Sequence, residues 1–150
     1  MAQTLARIIL HVVFSTKERE KIITDKMAER LYPYMINVCN NIRSHVYQIG
    51  GMEDHVHLLL ELSRTMSVAE ALRVIKANSS RWIRSEFPEC RDFHWQSGYG
   101  VFSVGQASLD GVMDYIANQK VHHATRDFKE EFLIFLNRAK IQYDDKYCWV

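Results

Sequence analysis

The stretch His55-Val56-His57-Leu58-Leu59-Leu60-Glu61-Leu62 sets two imidazoles two residues apart inside an apolar run. Along a strand, successive side chains face opposite sides. Val56, Leu58, Leu60 and Leu62 then form a core face, and His55, His57, Leu59 and Glu61 share the other. Adjacent imidazoles suit two ligands of one metal ion, since histidine is the commonest metal ligand. A bare His-x-His more often marks a partly wet sheet face. A second stretch, Asp114-Tyr115-Ile116-Ala117-Asn118-Gln119-Lys120-Val121-His122, has helical spacing. Tyr115, Gln119 and His122 fall at i, i+4 and i+7, on one helical face. A plain amphipathic helix is the commoner meaning of a polar stripe. This stripe, however, carries a phenol, an amide oxygen and an imidazole. If that helix packs on the histidine face, Gln119 completes a site with His55 and His57. Two nitrogens and one amide oxygen leave positions open for water and a phosphate oxygen. Such ligation suits Mg²⁺ or Mn²⁺, and zinc tolerates the same ligand types. Tyr115 then lies one turn from a ligand. A phenol ionises at about 10, so as a nucleophile it needs a nearby cation or base.

These residues need elements to position them. Ala6 to Ser15 is a nearly unbroken Ile- and Val-rich run and reads as a strand buried on both faces. Thr24 can cap a helix over Asp25 to Arg43, with Pro33 as a kink site. His45 to Ile49 reads as a second strand, Gly50-Gly51 as a turn, and His55 to Leu62 as a third strand. Ser67 caps a second helix carrying Val68, Leu72, Ile75 and Trp82. After a loop from Phe87 to Ser97, Tyr99 to Val104 is a fourth strand. Ser108 caps a third helix to about His123, and Thr125 starts a fourth ending near Lys140. The order β-α-β-β-α-β plus two C-terminal helices predicts an α+β, ferredoxin-like fold of the kind RNA-binding RRM modules share. Its two helices cover one sheet face and leave the other available. With 150 residues, two prolines and no internal repeat, the chain reads as one domain, 1–150.

Composition excludes several classes. At 47% hydrophobic and 25% charged residues the chain is an ordinary globule, neither disordered nor collagenous. No apolar run has the length of a membrane helix, and no signal peptide is legible. Cys39, Cys90 and Cys148 form no C-x-x-C pair, which favours a reducing compartment. Net charge is only +1, but between Arg64 and Arg84 five basic residues face one acid, Glu70. That window reads as a solvated helix face or a nucleic-acid surface.

Gly50-Gly51-Met52-Glu53-Asp54-His55-Val56-His57-Leu58-Leu59 resembles the His-hydrophobe-His motif of HUH-type single-tyrosine transposases. These comprise small insertion-sequence transposases and REP-associated tyrosine transposases. Val13-Phe14-Ser15-Thr16-Lys17, the basic stretch from Ile75 to Trp82, Trp95 to Gly100, and Tyr115-Ile116-Ala117-Asn118-Gln119 followed by His122-His123 continue the likeness in order along the chain. The resemblance implies an enzyme that cuts single-stranded DNA at hairpin-bearing ends of a mobile element. Tyr115 would attack a phosphodiester, become linked to the 5′ phosphate and free a 3′ hydroxyl. A 3′ hydroxyl would later attack the phosphotyrosine and rejoin strands. His55, His57 and Gln119 would hold a divalent ion, Mg²⁺ or Mn²⁺, with no organic cofactor. The resemblance further implies a homodimer, in which Gly105-Gln106-Ala107 could hinge the tyrosine helix. It implies a cytoplasmic, nucleoid-associated protein of a bacterial or archaeal cell.

A single DNA strand calls for cations along its backbone and aromatic platforms for its bases. Lys17, Arg73, Lys76, Arg81 and Arg84 are the candidate phosphate contacts, joined by Arg19 and Lys21, with Asn78 and Ser79 as hydrogen-bonding partners. Trp95, Tyr99 and Phe102 are candidate stacking platforms, with core packing equally open for Trp82, Trp95 and Phe102. His11 reads as a hydrogen-bonded core histidine in preference to a member of the metal face. His122 is an auxiliary site residue or a DNA contact. Two rival functions share these residues: a non-catalytic single-strand binding module, or domesticated transposase, and a metal-dependent phosphodiesterase using water in place of Tyr115.

Overall fold

The computed structural model describes residues 2–150. Four strands, β1 (Ile9–Ser15), β2 (His45–Met52), β3 (His55–Glu61) and β4 (Gly100–Val104), form one antiparallel sheet in the order β2-β3-β1-β4. This is the ferredoxin-like arrangement that the element order predicts. β1 lies between β3 and β4, and every one of its residues is buried. That position is the physical reason for its unbroken apolar run, since a central strand covered on both faces has no side to give to water.

Helices α1 (Asp25–Asn41) and α2 (Val68–Glu86) cover the face that carries Leu10, Val12, Phe14, Val56, Leu58 and Leu60. Thr24 and Ser67 cap them as expected, accepting from the amides of Met27 and Glu70. Each cap is worth about 1 kcal/mol. α1 runs through Pro33, which lies on its exposed side.

The other face is not left free. It is covered by α3 (Leu109–Ala117), the single turn α4 (Gln119–His122) and α5 (Phe128–Arg138). Leu109 and Ile116 bury against Ile9 and Leu59, and Phe128, Phe132 and Leu136 bury against Val13. A two-sided strand such as β1 requires this cover.

Several boundaries differ from the sequence reading. β2 continues through Gly50 and Gly51 to Met52, and the tight turn falls at Glu53-Asp54. Ser108 ends a 3-10 turn and makes no side-chain cap. The expected third helix is broken at Asn118, whose side chain donates to the carbonyl of Asp114 and takes the chain out of helical register. Asp127, not Thr125, starts the last helix by accepting from the Glu130 amide.

Gly50 belongs in the strand because α3 leaves no room for a side chain. A Cβ there would sit 2.5 Å from the Ile116 carbonyl oxygen. That oxygen belongs to the helix that carries Tyr115, so Gly50→Ala must push α3 away from the sheet. Overpacking of this kind costs about 1–3 kcal/mol. The expected result is a lower midpoint in urea at unchanged m-value. A midpoint equal to that of the parent would show that α3 yields freely.

Candidate active site

The register of β3 aims both histidines at α3–α5. His57 pairs with Val13 of β1 and Gly50 of β2, and His55 pairs with Ser15 and Met52. Both rings are fully buried. Their outward nitrogens converge on Glu131 of α5. His57 Nε2 lies 2.9 Å and His55 Nε2 3.4 Å from Glu131 Oε1. His123, just past α4, brings its Nε2 to 3.0 Å from Oε2. One ligand atom from each of His55, His57, His123 and Glu131 falls within a 4.8 Å cluster. Gln119 Oε1 is 3.0 Å from His55 Nε2. The break at Asn118 therefore still delivers Gln119 to His55, but by restarting the helix and not by continuing it.

Each histidine of the pair is oriented from behind. His55 Nδ1 donates to Asp54 Oδ1 at 2.7 Å, and His57 Nδ1 lies 2.7 Å from His11 Nε2. Outer partners of this sort decide which ring nitrogen faces a metal. His11 is thus the hydrogen-bonded core histidine expected for it, packed edge-on against Phe135.

The electrostatics follow from burial and from Glu131. Burial works to raise the Glu131 pKa, but hydrogen bonds from His123, His55 and His57 outweigh it and hold the carboxyl well below its usual range. Burial opposes charge on His55 too, yet Asp54 and Glu131 carry its pKa up to about 9. Burial wins at His57 and His11, which fall to about 4 and about 3. These two neutral rings form a directed chain. His11 Nε2–H donates to His57 Nδ1, and His57 Nε2–H donates to the Glu131 carboxylate.

A pH profile of stability follows for the metal-free protein. An unfolded histidine titrates near 6.5. Folded His11 and His57 resist protonation until about 3 and about 4, so the unfolded chain binds more protons below 6.5 and stability falls with pH there. His55 works oppositely: its contribution is complete below 6.5 and disappears as pH rises through about 9. Urea midpoints should peak near pH 6.5. An acid limb that starts only below pH 4.5 would assign the loss to carboxylates alone.

Tyr115 donates its phenolic hydrogen to Glu131 Oε2. Burial and this hydrogen bond both raise the phenol's pKa, so the resting side chain keeps its proton. The His122 ring stacks on it at 4.3 Å between centroids. Gln119 thus reaches His55 and Tyr115 reaches Glu131 beside the histidine pair, while His122 packs on the Tyr115 ring.

The expected DNA residues fall along two neighbouring cavities: Arg73, Lys76, Trp95 and Tyr99 line one, and Lys17, Arg19 and Trp95 the other. Trp95 is 7% exposed, edge-on to Phe14 and Phe93, and donates to Ser79 Oγ. It is a core residue with little surface left to offer a base. Lys76 is half-buried, donates to the carbonyls of Gln96, Ser97 and Gly98, and is lowered to about 8 by burial. It ties the loop before β4 and is not free for a phosphate. Asn78 is spent on the Val74 carbonyl and on Arg81, and Arg84 on the Phe93 carbonyl. Arg73 pairs with Glu70, a contact that solvent leaves weak. Phe102 packs on Phe135. Lys17 and Tyr99 remain exposed, with Arg19 partly so.

Two residues of the site were not assigned roles from the sequence, Glu131 and His123. Glu131 did leave a signal. In Phe128-Lys129-Glu130-Glu131-Phe132-Leu133-Ile134-Phe135-Leu136 it falls on the apolar stripe at i+3 from Phe128, where a carboxylate must be buried and therefore partnered.

A ferredoxin-like sheet presenting His-x-His to a tyrosine on a helix packed across that face defines the class: a tyrosine transposase of the HUH type. The sequence profile of the IS200-like transposases matches residues 4–119, and the chain belongs to that family. It is 26% identical over 125 residues to the transposase for insertion sequence element IS200 of Salmonella typhimurium, covering 79% of this chain and 81% of that protein. It is 21% identical over 114 residues to the ISDra2 transposase TnpA of Deinococcus radiodurans, covering 73% and 81% respectively. Among solved structures, a Deinococcus radiodurans R1 protein assigned as a transposase superposes with a TM-score of 0.66 at 22% identity, over 79% of this chain and 95% of that one. A REP-associated tyrosine transposase bound to a REP hairpin superposes with a TM-score of 0.60 at 14% identity, over 82% and 74%. The last two establish likeness of fold. No helix among the described residues is long and apolar enough to cross a membrane.

Proposed function

We propose that residues 1–150 form a single transposase domain that cuts and rejoins single-stranded DNA through a covalent link between Tyr115 and a 5′ phosphate. The observation that carries this reading is the hydrogen bond from Tyr115 to Glu131, the carboxylate around which His55, His57 and His123 gather. A phenol at the edge of a candidate metal centre supports its reading as the nucleophile. The membership of the family and the hairpin held by one structural neighbour support hairpin-bearing DNA ends as the substrate. The resemblance to the family also supports a homodimer, working in the cytoplasm with the DNA.

The donor set fits a divalent ion. His55, His57, His123 and Glu131 would hold it, with the Gln119 amide oxygen at the same place. Three imidazoles and a carboxylate suit Mn²⁺ or Zn²⁺ better than Mg²⁺, which prefers an all-oxygen shell. When bound, the ion would supply a positive charge that polarises the phosphoryl oxygens.

The chain's own residues do the rest. His122 and Glu131 fix the Tyr115 ring and hydroxyl from two sides. The resting phenol keeps its proton, so that proton must leave, through the hydrogen bond to Glu131 and on to solvent, as the bond between Tyr115 Oη and phosphorus forms. The bond from phosphorus to the 3′ oxygen breaks, and that oxygen takes up a proton from solvent and leaves as a 3′ hydroxyl. One phosphodiester replaces another, and the reverse attack by a 3′ hydroxyl rejoins strands. The test is covalent capture. The protein is mixed with single-stranded oligonucleotides from the DNA flanking its gene, with Mn²⁺ or Mg²⁺, and adducts are mapped by mass spectrometry. An adduct on Tyr115 is expected; metal-dependent cutting with no adduct would overturn the proposal.

A further inference from the structure

A cavity of about 240 Å³ opens beside the candidate nucleophile. Tyr115, Glu131 and His11 line its inner end, Phe135 gives it an apolar wall, and Arg126 and Arg138 line it from either end of α5. Neither arginine forms an ion pair or a side-chain hydrogen bond with another described residue. The contrast with Arg73, Arg81 and Arg84, each of which is occupied, is direct. Both arginines lie past residue 119, where the family match ends.

We infer that Arg126 and Arg138 form a phosphate-binding pocket that holds a phosphodiester of single-stranded DNA against Tyr115. The reasoning is chemical. Guanidinium groups are planar, always charged and forked, which matches phosphate oxygens better than any other side chain. Two of them face one carboxylate, and that carboxylate is already covered by three imidazoles and the phenol. Net attraction for an anion therefore survives at the cavity mouth. The volume is below the roughly 300 Å³ at which drug-sized ligand sites begin, so it suits one phosphate with its sugar, the sugar lying on Phe135. The charge of Arg126 also reaches Tyr115, where it favours the phenolate.

This inference rests on the strand-transfer reading for its choice of ligand, but its test does not depend on catalysis. A fluorescent oligothymidylate is titrated with the intact protein over a range of salt, without added metal, and inorganic phosphate is tried as a competitor. Each phosphate contact on a single strand contributes about 0.7 to the slope of log affinity against log salt. Arg126→Ala with Arg138→Ala should therefore flatten that slope by about 1.4. The double variant Arg126→Lys with Arg138→Lys should restore most of the slope and little of the adduct yield, because lysine keeps the charge and loses the fork. An unchanged slope in a folded Ala variant would overturn the pocket. So would competition by inorganic phosphate that is the same in the parent and in the Ala variant. If the parent binds with the expected slope but forms no Tyr115 adduct, the pocket stands and the strand-transfer reading falls.

Discussion

Tyr115→Phe leaves a folded, DNA-binding protein in which the covalent adduct is lost to background. The ring is retained, so its stacking on His122 and its edge contact with Phe135 persist. Only the hydroxyl goes, and with it one of the hydrogen bonds to Glu131. A buried acceptor that loses one donor costs about 1–3 kcal/mol, but Glu131 keeps His57 and His123, so the lower end applies. No other described side chain presents a hydroxyl to Glu131, and no substitute nucleophile stands in place. The measurement is a denaturing gel of the variant with flanking single strands and Mn²⁺, beside the parent. Strand cleavage that persists in the variant would make water the nucleophile and the protein a phosphodiesterase. Binding by the parent with neither cutting nor adduct would point to a binding module.

Removing Glu131 should have the largest effect on stability. Its carboxylate is 1% exposed and accepts from His57, His123, Tyr115 and Gln119, with His55 close by. Breaking a buried charged network by deleting one member costs about 3–5 kcal/mol. For a chain of this length that lowers the melting temperature of Glu131→Ala by roughly 6–20 °C. Glu131→Gln keeps the shape and removes the charge, so its loss should be smaller and confined to pH above the ordinary carboxylate range. The sign follows from the depressed pKa: the contribution of Glu131 is complete above about 4.5 and is lost as pH falls below it. A second readout separates ligand from prop. If Glu131 is a metal ligand, Mn²⁺ affinity of Glu131→Gln falls by more than the about 10–100-fold that outer-shell changes produce. Unchanged Mn²⁺ affinity would return the centre to His55, His57 and Gln119 alone.

The histidine pair was legible because a strand has a strict period of two. His55 and His57 had to share a face once Val56, Leu58 and Leu60 were assigned to the core. The tyrosine face was legible for the helical analogue of that reason. The reach of the pattern stopped at Asn118, where a side-chain-to-backbone hydrogen bond broke the helix and local periodicity no longer carried phase. The DNA surface was the least legible part. Lys76, Asn78, Arg84 and Trp95 have the residue types of a nucleic-acid face, yet Lys76 and Arg84 donate to carbonyls of the loop before β4, Asn78 to the Val74 carbonyl of its own helix, and Trp95 of the loop to Ser79 on α2. A donor's type says nothing of whether the fold has already used it.

The sequence by itself determined the order of elements, the two-sided burial of β1, and which side of β3 carries its imidazoles. These depend on contacts between near neighbours in the chain and on the alternation of apolar and polar residues. Only the tertiary structure decided that α5 closes the second sheet face and brings Glu131, 74 positions from His57, to the centre of the site. It alone set Arg126 and Arg138 around a cavity at Tyr115. Such convergence is set by the packing of Phe128, Phe132 and Leu136 on β1, and apolar contact is non-directional. Periodicity can show that such a stripe must be buried, but not which surface will receive it.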